Sequence, residues 1–356
     1  MNHLSRIREK LVNFEALLIT DEKNQRYACG CPFTDGFVLV SREKAWILTD
    51  SRYTEAASHA VDQEISILQF DNAHPKEPML KRLLDEEKLT KVAAEDRRLS
   101  HAAFLKFETA MERTLLPAGD MLSVLRAAKD PEELRFMREA QAISEEALEE
   151  TLQVIHVGMS EKEVAAELVY RMLRHGGDGN AFDPIVVTGK NTSLPHGVPG
   201  DTILQPGDFL TMDFGSLKGG YCSDMTRTVA LCSATEEMQN IYSLVLEAQL
   251  AGIRAAKSGI PGQEIDAAAR KVIQDAGFGA YFGHGFGHSL GLDIHEEPHL
   301  NPREKRLMPE GAVVSAEPGI YLPGRFGVRI EDVMILRPEG SEVITKAPKD
   351  RLLIIG

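Results

Sequence analysis

Cysteine is scarce: four residues among 356, at Cys29, Cys31, Cys222 and Cys232, too few and too scattered for the disulfide framework of a secreted scaffold. That usage points to a cytoplasmic protein. Long apolar runs are also lacking. No stretch approaches the roughly 18 residues of a membrane span, and the N-terminal "MNHLSRIREKLVNFEALLIT" mixes charge into a helical pattern, so it reads as an ordinary first helix rather than a signal segment. Basic charge is outweighed, with 40 Lys and Arg against 54 Asp and Glu and a net charge of -14. This excludes the clustered positive surface that a phosphate backbone needs. Neither nucleic acid nor membrane is expected as a partner.

What is present describes an ordinary globular chain, 43% hydrophobic and 26% charged, long enough for two domains. In the first 125 or so residues, "GFVLVS", "AWILTD", "VDQEISILQF" and "LTKVAAED" read as strands, and "SRYTEAASHA" and "HAAFLKFETAM" as helices. A boundary then falls before a long helix that Asp130 can cap, with Pro131 in its first position and Glu133 three residues on. The expected division is 1–127 and 128–356.

The second part repeats itself. "VGMSEKEVAAEL" (157–168) and "SGIPGQEIDAAA" (258–269) superpose at a constant offset, pairing Gly158 with Gly259, Glu163 with Glu264, Val164 with Ile265 and Ala166 with Ala267. Each copy lies between two helical stretches, the second ending at a glycine, Gly176 or Gly277, and a β-rich segment follows. Two related helix–helix–sheet halves with a crevice between them are expected.

Acidic residues sit oddly in those β segments. In "LTMDFGSLKGGYCSDMTRTVAL" a hairpin centred between residues 218 and 219 would set Asp213 opposite Asp224, with Cβ atoms about 5 Å apart. In "VVSAEPGIYLPGRFGVRIEDVMIL" a turn centred on Gly324 sets Glu317 opposite Glu331. Facing carboxylates repel unless cations lie between them. Four carboxylates and an imidazole make an oxygen-rich site suited to two divalent ions such as manganese. Two such ions about 3.5–4 Å apart can hold a bridging hydroxide and polarise a carbonyl, which is hydrolytic chemistry.

The stretch "LDIHEEPHL" also carries His295, Glu296 and His299 in the H-E-x-x-H spacing of zinc proteases. That motif works only on a helix, where two histidines one turn apart reach one ion, and Pro298 stands between them. Glu296 and the spacing therefore read as incidental.

The set Asp213, Asp224, His288, Glu317 and Glu331, in the contexts "MDFG", "SDMTRT", "GHSLGLDIHEEP", "AEPGIY" and "VRIED", resembles the pita-bread metallopeptidases, most of all the Xaa-Pro peptidases (prolidase and aminopeptidase P). The resemblance spans the chain. It implies an α/β (α+β) architecture in which a small creatinase-like N-terminal domain precedes a pita-bread catalytic domain with two pseudo-symmetric helix/sheet halves. It further implies two divalent metals per chain, with Mn2+ first and Co2+ or Zn2+ as alternatives, proline-containing peptides as substrates and a homodimer. By residue, Asp213 would chelate one metal, Asp224 and Glu331 bridge the two, and His288 and Glu317 complete the second. Glu317 would also act as general base, His196 contact the reacting amide, His295 donate to the oxyanion and Arg329 hold the carboxylates. His284, in "GHGFGH", matches no defined role and reads as a packed or hydrogen-bonded residue near the ligands. Gly283, Gly285 and Gly287 would let backbone approach the site closely.

One departure bears on substrate. Many prolidases carry at the position of His299 an arginine suited to a dipeptide's free carboxylate, whereas histidine is mostly uncharged at pH 7. This argues against a strict dipeptide preference and leaves longer peptides open. A hydrolase of a non-peptide amide on the same scaffold and a non-catalytic binding paralogue are the alternatives. The complete ligand set speaks against creatinase, and the N-terminal domain against methionine aminopeptidase.

Overall fold

The computed structural model describes residues 2–61 and 64–356 and divides into two compact units, Met1–Arg126 and Ala127–Gly356. In the first, a six-stranded sheet runs in the order Ile65–Gln69, Ala45–Thr49, Gly36–Ser41, Ala16–Ile19, Val92–Ala94, Leu116–Pro117. Leu18, Phe37, Leu39, Trp46, Leu48, Leu80, Leu84 and Met111 form a core on this sheet. The first twenty residues depart from the single helix expected of them. A helix covers only His3–Lys10, capped by the Asn2 side chain, and Ala16–Ile19 is a fully buried strand. A strand buried on both faces shows no polar alternation, so its four apolar residues carry no period-2 signature. Of "VDQEISILQF", Ile65–Gln69 is a strand, and Asp62 and Gln63 lie outside the described residues.

In the second unit, Asp130 caps the helix Pro131–Leu152 with a full capping box: its side chain accepts from the Glu132 and Glu133 amides, and Glu133 accepts from the Asp130 amide at 2.9 Å. The repeat is structural. Helices Glu161–Arg174 and Gly262–Asp275 are each 14 residues long, and their buried faces present Val164 and Ile265 at equivalent positions. Gly158 and Gly259 precede them with φ of 101° and 81°, and each donates its N–H to a distant backbone carbonyl, of Leu204 (3.1 Å) and Met308 (2.8 Å). Gly176 and Gly277 end them at φ 89° and 86°, the left-handed conformation that closes helices at glycine.

Each half then lays an antiparallel sheet against its helices: Ile185–Thr188, Phe209–Phe214 and Met225–Leu231 in one, Gly287–Ser289, Val313–Ala316 and Asp332–Arg337 in the other. Alternation decides what faces where. Leu210, Met212, Phe214 and Met225 pack into one helix-side core and Val314, Ala316, Met334 and Leu336 into the other. That leaves Asp213, Thr226, Ser315, Glu317 and Glu331 on the opposite faces. The Gly324 hairpin pairs Gly319 with Arg329, and the neighbouring ladder pairs Ala316 with Asp332. Both share one register, which sets Glu317 opposite Glu331 at the break between them. The other hairpin corrects the expectation. Its turn is Gly219–Gly220, with φ of 58° and 85°, so Lys218 pairs with Tyr221 and Asp213 with Thr226, not with Asp224. Two consecutive left-handed residues favour the pair of glycines over Lys218–Gly219 as turn centre. The shift is two residues along one strand, so Asp224 keeps the face of Asp213 and lies diagonal to it.

Gly220→Ala forces a side chain into that left-handed turn and is expected to lower unfolding free energy by about 1–2 kcal/mol. Urea unfolding checks it; an unchanged midpoint and slope would show that this turn does not set the register.

Candidate metal centre

Asp213, Asp224, His288, Glu317 and Glu331 all line one cavity of about 480 Å³, together with His196, His284, His295, His299 and Arg329. One ligand atom each of Asp224, His288 and Glu331 lies within 4.8 Å of the others. His288 Nε2 is 3.3 Å from Glu317 Oε1 and 3.5 Å from Asp224 Oδ2. Its Nδ1 lies 3.1 Å from the Ser289 carbonyl. A carbonyl only accepts, so the Nδ1 proton is fixed there and the Nε2 lone pair faces the carboxylates, the tautomer a metal ligand requires.

Asp213 is held by Arg329, whose Nη2 donates to Oδ2 at 2.6 Å. Arg329 also donates through Nε to Thr226 Oγ1 (3.0 Å) and through Nη1 to Tyr321 Oη (2.9 Å) and the Pro195 carbonyl (3.2 Å). Thr226 passes its own proton to Glu331 Oε2 at 2.7 Å. Ser315 donates to Glu317 Oε1 at 3.0 Å and accepts from the His288 amide at 3.0 Å. Thr226, Ser315 and Tyr321 escaped the sequence reading. Thr226 and Ser315 share strand faces with the acidic residues, and period-2 alternation from Asp224 and Glu317 marks both.

The electrostatics are those of an anion cluster short of cations. Burial pushes the Glu317 carboxyl up to about 7, against the pull of Arg329. Asp224 is raised well above the ordinary carboxylate range by burial and then by Asp213 and Glu317, and Glu331 likewise by burial and then by Asp224 and Glu317. Burial also raises Asp213, with Arg329 opposing, and its Oδ1 is buried without a hydrogen-bond partner. An orphaned carboxylate oxygen beside three more carboxylates and a free imidazole nitrogen fits divalent cations. Burial lowers His288 to about 3 and His284 to about 4, so both stay neutral.

The H-E-x-x-H stretch is extended: Glu296–Leu300 is a strand pairing His299 with His288. His295 and His299 therefore cannot share an ion as helical neighbours. The His295 ring packs 4.3 Å from that of His288 and lines the cavity. Glu296 is more than incidental, since its carboxylate meets the buried Lys129 ammonium at 3.0 Å. Gly285 and Gly287 stand where a Cβ would meet the Leu300 carbonyl at 2.8 Å and the Ser315 carbonyl at 2.1 Å, whereas Gly283 has open space around it. His284 contacts Tyr321 Oη at 2.9 Å.

The fold and this site set a candidate metal centre between two repeated halves, and sequence comparison assigns the chain to a family. The chain matches Metallopeptidase family M24 over residues 135–338 and the Creatinase/Prolidase N-terminal domain over residues 4–128. It belongs to metallopeptidase family M24, with the pita-bread catalytic fold behind a creatinase-like domain. The chain is 38% identical to a Xaa-Pro dipeptidase from Bacillus anthracis, with 99% of both chains covered and a TM-score of 0.95. To an X-Pro aminopeptidase from Thermotoga maritima MSB8 it is 35% identical, covering 98% of this chain and 99% of that one, with a TM-score of 0.92. A Xaa-Pro dipeptidase from Pyrococcus furiosus is 32% identical over 352 residues, 97% of this chain and 99% of the relative. The expected kinship with Xaa-Pro metallopeptidases holds.

The carboxyl shifts set a pH dependence for the metal-free protein. Above about pH 7.5 the buried His284 and His288 are neutral in folded and unfolded chains alike. The carboxyls raised on folding then hold protons that the unfolded chain has released, so stability falls as pH rises through about 7 for Glu317 and further for Asp224 and Glu331. The melting temperature of metal-free protein is expected to fall between about pH 7.5 and 8.5, and added divalent metal to reverse that fall. A flat profile in a calorimetric scan with chelator would show that cations do not relieve these carboxylates.

Proposed function

We propose that the protein hydrolyses Xaa-Pro peptide bonds at a free N-terminus, with two divalent ions held by Asp213, Asp224, His288, Glu317 and Glu331. The observation that carries this reading is the convergence of these five side chains on one cavity, with Asp213 Oδ1 buried and unpaired. Asp213 would take one ion, His288 and Glu317 the other, with Asp224 and Glu331 shared. The oxygen-rich donor set suits manganese ahead of zinc. When bound, the ions would supply Lewis-acid polarisation of the scissile carbonyl and acidify the attacking water.

The remaining steps belong to the chain. Glu317 accepts the proton of the attacking water and returns it toward the leaving nitrogen. His295, neutral because burial lowers its pKa, donates to the oxygen on which charge develops. His196, exposed on the cavity wall, contacts the reacting amide. Arg329 orients Asp213 and opposes the rise that burial imposes on its carboxyl. A prolyl bond is a tertiary amide without an N–H, so recognition must rely on shape, for which Phe182, Ile185, Pro195 and Ile294 provide apolar walls. The relatives named as Xaa-Pro dipeptidases and X-Pro aminopeptidase support the same bond.

Manganese-loaded protein is expected to cleave Xaa-Pro substrates and to cleave Xaa-Ala poorly, with close to two metals per chain. Asp224→Asn should abolish turnover with the fold intact. His196→Ala and His295→Ala should each lower kcat about 10²- to 10⁴-fold while keeping metal, and His288→Ala should lose it. Steady-state kinetics with elemental analysis decide the matter. Full activity of Asp224→Asn would overturn the two-metal reading, and preference for N-terminal methionine irrespective of proline would overturn the specificity.

A further inference from the structure

We infer that Arg303 is the residue that recognises the substrate's terminal carboxylate, so that the site selects dipeptides with a free C-terminus; the inference rests on the Xaa-Pro reading above. Apart from histidines, the cavity is lined by two cations, Arg303 and Arg329. Arg329 is consumed, its guanidinium divided among Asp213, Thr226, Tyr321 and the Pro195 carbonyl. Arg303 forms no ion pair among the described residues and is exposed to the cavity mouth.

The loop that carries it is built to present it. Asn301 Oδ1 accepts from the Arg303 amide at 2.9 Å, and the Asn301 carbonyl accepts from the Glu304 amide at 3.1 Å, closing a turn around residue 303. The buried Glu304 carboxylate then accepts from the amides of His299 (3.3 Å) and Arg306 (2.9 Å), and the Gln263 amide donates to the Glu304 carbonyl at 2.8 Å. The neighbouring cation Arg306 is tied down by Glu304 and Glu297. Acids therefore occupy one arginine of the loop and none occupies the other. His299 lies 3.5 Å from the Glu297 carboxylate, so an acid of the chain already stands beside it. In a cavity whose depth holds four carboxylates, a free guanidinium at the mouth orients a peptide: its N-terminal end goes toward the acids and its carboxylate toward the rim. A dipeptide carries its carboxylate on the proline, whereas a longer peptide carries an amide there.

The test compares Leu-Pro with Leu-Pro-amide on manganese-loaded wild type, Arg303→Ala and Arg303→Lys. Arg303→Ala should lose about tenfold in kcat/KM on Leu-Pro, through KM, as expected for one charge-assisted contact at a solvated rim. On the amide it should stay within about twofold of wild type, and lysine should restore part of the loss. Equal effects on acid and amide, or no effect on either, would overturn the assignment of Arg303 while leaving Xaa-Pro hydrolysis standing. Failure of the wild type to hydrolyse either compound would overturn the Xaa-Pro reading and this inference with it.

Discussion

Four carboxylates buried in one cavity repel one another, and the catalytic unit is arranged around that repulsion. Each is too far from bulk water to be screened well, and one fixed positive charge, Arg329, stands among them. It neutralises Asp213 directly and reaches Glu331 through the Thr226 hydroxyl. Asp224 and Glu317 form no hydrogen bond with it, and burial first raises all four carboxyls against its pull, with neighbouring carboxylates adding to the rise at Asp224, Glu317 and Glu331. A protein that only had to fold would replace such residues, since a buried unpaired charge costs several kcal/mol. Under the two-metal proposal, cations bound by the folded chain would offset that cost.

The duplication solves the geometric side of the same problem. One antiparallel sheet offers one inner face, and alternation limits how many acids it can aim at a point. Two sheets, each with its outer face sealed by a helix pair, offer two inner faces, one carrying Asp213 and Asp224 and the other His288, Glu317 and Glu331. The left-handed glycines at 158, 176, 259 and 277 recur because each half must start and stop its sealing helix at the same place. Behind the acidic cluster, Arg227 binds the carbonyls of Thr226 and Glu331 and the carboxylate of Asp332, so the strands from the two halves are fastened to each other beside Glu331.

Much of this was legible in the sequence because the acids interrupt apolar strands at turn-defined distances. The Gly324 hairpin was read in register, since a lone glycine between two strands leaves one centre. The Gly219–Gly220 hairpin was misread by two residues, because three turn-forming residues in a row allow more than one centre and only their left-handed φ values choose. Parity rescued the face assignment. The strand Ala16–Ile19 was missed because burial on both sides erases alternation. The Lys129–Glu296 pair was invisible for a different reason: its members are 167 residues apart, and charge complementarity at that distance has no local pattern. Arg303 drew no notice in the sequence, where it is one arginine in a charged loop. Its freedom shows only once Glu304 and Glu297 are seen to engage Arg306.

The histidines of "GHGFGH" show how hydrogen-bond direction separates roles that sequence left open. Arg329 can only donate, so the Tyr321 oxygen accepts from it and must send its own proton onward. The receiver is His284 Nε2 at 2.9 Å, which leaves His284 Nδ1 protonated and donating to the Gly285 carbonyl at 2.9 Å. Both nitrogens of His284 are thereby used within the protein. His288, four residues on, uses Nδ1 in the same way toward Ser289 but keeps Nε2 free among the carboxylates. The two imidazoles share a tautomer. What divides them is the tyrosine, which caps one lone pair and, through Arg329, ties His284 to the orientation of Asp213.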